Sequence, residues 1–252
     1  MTAPRILRPQ GVGRFVLFCD HASNAIPAEL HGLGLPPSEV ARHIAWDIGA
    51  AGVTEALSEV FDTPAILCSF SRLVIDPNRR LSAPDLIPEV SDGTVIPGNL
   101  NLSESARAIR IERWFHPYHD AVESVLIERE AKGVQTIAIS IHSMTPRLNS
   151  MSVSTAAKPV AGQPRPWQIA LSSHLDRSLA DPVLAALRRP GDVVVGDNQP
   201  YDLDPEVDYS IPFHALRRNL PHIQVEFRQD EILDASTQRR WALRFAQALT
   251  LR

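Results

Sequence analysis

The sequence predicts an α/β fold in which a largely parallel β-sheet is covered by helices on both faces. Three observations lead to this prediction. Strand-like and helix-like segments alternate along the chain. The run 134–141 is almost continuously apolar, as is typical of a central strand buried on both faces. The 252 residues are 44% hydrophobic and carry no internal repeat or linker, so we expect one domain spanning 1–252.

The individual elements follow from apolar spacing and from turn residues. The first strand, 14–19, is short and apolar. The first helix, 37–61, has apolar residues at helical spacing after Pro36 and Pro37. The helix 103–131 begins at Ser103, a favourable N-cap. The same reasoning predicts strands at 64–70, 73–75, 167–172, 192–196 and 222–227, helices at 174–189 and 234–250, and loops at 80–101, 144–166 and 197–213.

Composition excludes several classes of protein. A formal net charge of −4 argues against general nucleic-acid binding. No stretch approaches the roughly 18 apolar residues that a membrane span needs, and the first residues lack the apolar centre of a signal peptide. Cys19 and Cys68 lie in apolar runs, which indicates buried free thiols in a reducing compartment. We therefore expect a cytoplasmic protein without membrane or nucleic-acid partners, and the oligomeric state stays open.

Polar residues of chemically useful types follow the predicted strands. Ligands of open α/β sheets bind beyond the carboxyl ends of the strands, so these residues are the first candidates for a site. Two histidines at separate strand ends and a carboxylate can provide three ligands to Zn²⁺, and arginines can hold a substrate carboxylate. The pattern therefore predicts amide hydrolysis of a small acidic substrate. The candidates are Asp20, His21, Asn24, Ser71, Arg72, Asp76, Asn78, Arg79, His142, Ser143, Asp197, Asn198, Glu226 and Arg228.

Five segments spread over most of the chain carry a family resemblance. CDHASNAIP, SRLVIDPNR, SIHSMTP, GDNQPYD and VEFRQDEI resemble the N-formylglutamate amidohydrolase family. That family is similar to zinc carboxypeptidases and to the aspartoacylase and succinylglutamate desuccinylase group. The resemblance implies a three-layer α/β/α sandwich with a mixed, mainly parallel sheet. It also implies a zinc (or other divalent metal) enzyme that cleaves the amide bond of an N-acyl amino acid, with N-formyl-L-glutamate as substrate.

The resemblance also implies metal ligands. His21 and His142 match the two histidine ligands. The usual glutamate three residues after the first histidine is replaced by Asn24, whose amide oxygen is a poorer ligand. Asp47 is the expected third ligand, because the family has an aspartate there and its apolar neighbours would make an unpaired charge costly. Asn24 and Asp20 remain alternatives.

Catalytic and substrate-binding roles come from the same resemblance. Glu226 is the implied general base and Arg72 the residue that stabilises the oxyanion. Asn78 and Arg79 are implied to hold the substrate carboxylate. Further candidates for substrate contact, from their place near strand ends, are Asp197, Asn198, Tyr201 and Arg228.

Some roles stay open at this stage. His116 and His119 flank Pro117 and fit a helix kink as well as a site, and His214 has no assigned role. The alternatives to formylglutamate hydrolysis are a related deacylase or carboxypeptidase-like enzyme with another substrate, and a non-catalytic binding protein that has lost the metal. The Asn24 departure keeps the last alternative open.

Overall fold

The computed structural model describes residues 3–147 and 164–250, and these form a mixed, mostly parallel seven-stranded sheet. The strands in chain order are β1 (Arg5–Leu7), β2 (Phe15–Cys19), β3 (Ala65–Leu67), β6 (Ile137–Met144), β7 (Ile169–Ser172), β8 (Val195–Asp197) and β9 (His222–Arg228), and a separate hairpin is formed by β4 (Val90–Ser91) and β5 (Thr94–Val95). The sheet order is β1-β3-β2-β6-β9-β7-β8. β3, β2, β6 and β9 are mutually parallel, β1 runs antiparallel to β3, and β7 runs antiparallel to β9 but parallel to β8.

Helices cover both faces of this sheet. They are α1 (Pro37–Val40), α2 (Ala50–Phe61), α3 (Glu104–Arg110), α4 (His116–Ala131), α5 (Ala180–Arg188), α6 (Ser210–His214) and α7 (Ala235–Thr250). Alternate residues of β2 enter two separate cores: Leu17 packs with α2, α5 and α7, whereas Phe18 packs with α4 and α6. Each central strand is therefore buried on both sides, which explains its continuous apolar sequence. The predicted α/β/α sandwich is confirmed.

The prediction of one continuous helix over residues 37–61 is wrong for the middle of this range. α1 ends at Val40 and α2 begins at Ala50, with turns between them. Gly49 has φ 83°, and a side chain there would collide with the backbone of Ile232, so the helix cannot run through it. The break lets the Asp47 amide donate to the His21 carbonyl oxygen at 2.9 Å. This bond holds Asp47 at the end of β2.

The predicted helix 103–131 is also divided. Ser103 caps α3 as expected, accepting a hydrogen bond from the Ala106 amide at 3.2 Å. A π-helical turn, Ile111–Phe115, then separates α3 from α4. Pro117 at the start of α4 has no N–H to donate to the preceding turn, which favours the local widening. The helix is therefore irregular at this position, as in one of the two interpretations left open for His116 and His119.

Smaller differences concern edges and loops. Residues 73–75 form turns and not a strand, whereas the short edge strand β1 was not predicted. The predicted loop 80–101 contains the β4–β5 hairpin. Most of the predicted loop 144–166 lies outside the described residues. No helix in the described ranges has the length and hydropathy of a membrane span.

Candidate active site

Three buried side chains meet at the carboxyl edge of the parallel strands. His21 follows β2, Asp47 lies before α2, and His142 is on β6. Asp47 Oδ2 lies 2.9 Å from His142 Nδ1 and 3.4 Å from His21 Nδ1. One ligand atom from each residue lies within 4.8 Å of the other two, so the three residues could hold a metal ion. We call this group the His–Asp–His triad.

The outer nitrogens of both histidines face oxygen atoms. His21 Nε2 lies 2.7 Å from Asp76 Oδ1, and His142 Nε2 lies 2.9 Å from Ser140 Oγ and 3.4 Å from Asp20 Oδ2. Histidine ligands of metals usually donate this second N–H to such a partner, which leaves the other nitrogen free to bind. Two nitrogens and a carboxylate oxygen are a donor set that suits Zn²⁺. The residues present therefore fit a metal of this kind.

The electrostatics of the triad agree with this arrangement. Burial and Arg72 lower the pKa of His21, but Asp76 and Asp47 together outweigh them and raise it. Burial lowers the pKa of His142, but its hydrogen bonds to the carboxylates of Asp20 and Asp47 raise it well above the usual value. Burial raises the pKa of Asp47, but the two histidines hold it below its usual range. The carboxylates that raise both histidine pKa values therefore favour positive charge at this position, whether a proton or a metal cation.

Glu226 lies beside His142, directly opposite it in the register of β6 and β9. Its side chain is buried, and burial followed by the charge of Asp47 raises its pKa to about 7. Within the described ranges no group donates a hydrogen bond to its carboxyl. A carboxylate with a pKa near neutrality, unpaired and facing a cavity, has the properties of a general base.

Arg72 reaches the triad from the segment after β3. Its Nε and Nη2 donate to Asp76 Oδ2 at 3.0 and 2.6 Å, and its Nη1 lies 3.6 Å from Asp47 Oδ1. About a quarter of its side chain is exposed, and it faces the cavity. Asp76 thus orients both Arg72 and His21.

One cavity contains most of the predicted site. Its lining includes these nine sequence-predicted residues: His21, Asp47, Arg72, Asn78, Arg79, His142, Ser143, Tyr201 and Glu226. Asn24 is not among them, because its amide donates to the Val40 carbonyl oxygen at 3.2 Å. Asp20 lies behind His142 and accepts hydrogen bonds from Tyr118 and Ser210 at 2.7 and 2.6 Å. Of the proposed third ligands, Asp47 is the one that joins the two histidines.

Asp197 and Asn198 do not line the cavity. Asp197 pairs with Arg177 at 2.9 Å, and Asn198 accepts a hydrogen bond from the Ser173 amide. The reason is strand direction: β7 and β8 run opposite to β9, so the carboxyl end of β8 lies at the other edge of the sheet. The expectation that they contact substrate assumed that all strand ends meet at one edge.

Three further predicted residues have partners within the protein. Asn78 Oδ1 accepts from the Tyr209 and Ser210 amides, and its Nδ2 donates to Asp208 at 3.0 Å. Arg79 donates to Asp85 Oδ2 at 3.0 Å. Arg228 donates to Asp230 and Glu231 and lies outside the cavity lining. Asn78 therefore shapes the wall more than it presents a free amide to a ligand.

Sequence reasoning missed other cavity residues. Arg165, Thr145, Asp208 and Gln229 also line it. Burial raises the pKa of Asp208 to about 6. These residues lie in loops or just after a strand, where no periodicity marks them. The only available signal was a position near a functional loop or strand end.

A three-layer fold that gathers histidines, an aspartate and an unpaired glutamate at its carboxyl edge defines a class of α/β enzymes that act on small molecules at that edge. The N-formylglutamate amidohydrolase family model matches residues 13–233, and the chain belongs to this family. The resemblance seen in the sequence is therefore confirmed.

Solved structures agree with the fold. A gene product of Agrobacterium tumefaciens is 32% identical, with a TM-score of 0.89 over 99% of this chain and 96% of that one. The N-formylglutamate amidohydrolase from Ralstonia eutropha is 18% identical, with a TM-score of 0.69 over 99% and 97% of the two chains. At that identity the second likeness shows the fold alone. Among curated proteins, none matches the chain.

Proposed function

We propose that the chain is a zinc-dependent amidohydrolase that converts N-formyl-L-glutamate to formate and glutamate. The observation that carries this proposal is the unpaired Glu226 beside the His–Asp–His triad, in a chain of the N-formylglutamate amidohydrolase family. A divalent cation held by His21, Asp47 and His142 would polarise the formyl carbonyl and make water a better nucleophile.

The chain's own residues supply the proton transfers. Glu226 takes a proton from the attacking water and passes it to the leaving amine, because its pKa of about 7 suits both steps. Asp47 Oδ2 lies 3.4 and 2.9 Å from the Nδ1 atoms of His21 and His142, so the three ligand atoms face one another. Asp76 and Asp20 hold the outer nitrogens, so that both Nδ1 atoms face inward.

Arg72 stabilises the negative charge that develops on the carbonyl oxygen. It lies next to Asp47 and is held by two hydrogen bonds to Asp76, so little reorganisation is needed during the reaction. Arg79 adds positive charge to the wall that an acidic substrate would face. Asn78 supports this wall by holding residues 208–210.

Hydrolysis of a panel of N-acyl amino acids tests the proposal. We expect zinc-loaded protein to release formate from N-formyl-L-glutamate, and to act more slowly on N-acetyl-L-glutamate and N-formyl-L-leucine. A preference for another acyl group or amino acid would assign the related deacylase function. No hydrolysis of any member by metal-loaded protein would contradict the enzyme and leave the binding-protein alternative.

A further inference from the structure

Within residues 3–147 and 164–250, the guanidinium of the buried Arg165 donates hydrogen bonds only to neutral groups. Its side chain lines the cavity, and the residue is 6% exposed. Nη1 donates to the Thr145 carbonyl oxygen and Oγ1 at 3.3 and 3.2 Å, and Nη2 donates to the Tyr201 hydroxyl at 2.8 Å. Residues 3–147 and 164–250 place no carboxylate in ion-pair contact with the guanidinium. Its Nε–H and one Nη2 proton have no partner within those ranges.

The other two arginines of the cavity differ in this respect. Arg72 pairs with Asp76, and Arg79 pairs with Asp85. Burial raises the pKa of Glu226 and the charge of Arg165 lowers it, but no carboxylate of the described ranges pairs with the guanidinium directly, and a buried charge without such a partner is costly. The free N–H groups of Arg165 match the two oxygens of a carboxylate.

Arg165 is also held firmly in place. Its backbone amide donates to the Pro146 carbonyl oxygen at 2.8 Å, and its own carbonyl oxygen accepts from Arg228 Nη1 at 3.2 Å. The guanidinium lies over the Tyr201 ring, 5.0 Å from its centre. A group fixed in this way loses little further entropy when it binds a ligand.

We propose that Arg165, together with the Tyr201 hydroxyl, binds one of the two carboxylates of the substrate. Tyr201 accepts its hydrogen bond from Arg165, so its own proton is available to the same carboxylate. Arg72 is the arginine beside Asp47, and this leaves Arg165 to hold a part of the substrate away from the reacting carbonyl. The inference rests on the proposed function and names the group that selects an acidic substrate.

The test combines Arg165→Gln with substrates that each lack one carboxylate. The probes are N-formyl-L-glutamate and its two monoamides, N-formyl-L-glutamine and N-formyl-L-isoglutamine. On the diacid, we expect Arg165→Gln to lower kcat/KM about 10- to 100-fold, mainly through KM. On one monoamide the variant and the wild type should be nearly equal, because the partner of Arg165 is gone. An equal loss on all three probes, or no loss on the diacid, overturns the proposal.

Controls separate folding and function. Arg80→Gln removes a surface arginine that pairs with Glu206, and it should leave all rates unchanged. Tyr201→Phe keeps the aromatic ring and removes the hydroxyl. We expect it to lower kcat/KM a few-fold on the diacid and not at all on the same monoamide. This variant tests the proposal if Arg165→Gln does not fold. If the wild type hydrolyses no probe, calorimetric binding of L-glutamate to the zinc-loaded protein still tests Arg165. Weaker binding by Arg165→Gln, about 10-fold or more, supports the anchor, and equal binding rejects it.

Discussion

Two pairs of histidines are buried in this fold at nearly the same spacing. The ring centres of His21 and His142 lie 5.0 Å apart, and those of His119 and His214 lie 5.1 Å apart. The first pair faces Asp47, Asp76 and Asp20. The second pair is bonded to itself, since His119 Nδ1 lies 2.8 Å from His214 Nε2. Composition and spacing alone do not distinguish them.

The difference between the pairs lies in what their nitrogens contact. His119 Nε2 donates to the Pro77 carbonyl oxygen at 3.0 Å, so its Nδ1 must accept from His214. His214 Nδ1 lies 2.7 Å from Glu123 Oε1. This series of hydrogen bonds uses every ring nitrogen of the two histidines, so none is left to bind a metal. It also supports the backbone just before Asn78. The arrangement of the first pair with Asp47 could therefore hold a metal ion, whereas the mutual bond of the second pair gives it a structural role.

The largest expected effect compares the glutamate beside each pair. Glu226→Gln should lower kcat about 10²- to 10⁴-fold, because the proposed general base is lost while the triad remains. Glu123→Gln should keep kcat within a few-fold, since among the described residues Glu123 forms hydrogen bonds only with His214 and Arg218. Steady-state kinetics on N-formyl-L-glutamate, with zinc content measured in parallel, check both. Comparable losses of kcat in the two variants would remove Glu226 as the base.

A smaller effect concerns stability. His119→Ala should lower the free energy of unfolding by about 2–4 kcal/mol, because it leaves a cavity and two unpaired buried groups, the Pro77 carbonyl oxygen and His214 Nε2. His116→Ala is the matched control: its side chain is 42% exposed, and the change should stay within about 0.5 kcal/mol. Urea unfolding measures both. If His119→Ala were as stable as His116→Ala, the second pair of histidines would have no structural role.

The smallest effect is on the pH dependence of stability. Burial, and then His214, lower the pKa of His119 to about 3, from 6.5. The unfolded chain therefore binds the extra proton between pH 6.5 and 3 and the fold does not, so stability falls as pH falls through this window. At pH 5 the loss is about 2 kcal/mol relative to neutral pH. His119→Gln should lack this part of the slope in urea unfolding at pH 5 and 7.5, and an unchanged slope would contradict the assignment.

The sequence could predict the core of the site because strand direction and residue type were enough. His21, His142 and Glu226 end or follow long apolar strands, and β2, β6 and β9 are parallel. Asp47 was expected from the family resemblance, although it lay inside a predicted helix that Gly49 in fact interrupts. Asp197 and Asn198 lie away from the cavity because of the direction of β7, which no local pattern encodes.

Contacts between distant segments were beyond local reasoning. The position of Arg165 depends on the isolated β-bridge between Arg147 and Pro164 and on the hydrogen bond to Tyr201, which is distant in the sequence. The bond between His119 and His214, which are 95 residues apart in the sequence, joins α4 to α6. Periodicity and motif spacing describe one segment at a time, so such pairs become visible only when the chain is folded.

Zinc stoichiometry in four proteins tests the central claim most directly. The wild type, His21→Ala, His142→Ala and His119→Gln are loaded with zinc, dialysed and measured by elemental analysis. We expect about one zinc per chain in the wild type and in His119→Gln, and little in the two triad variants, because three ligands are needed for a catalytic zinc site. No zinc in the wild type, or zinc retained by both triad variants, would contradict the claim that the acid-flanked pair is the metal site.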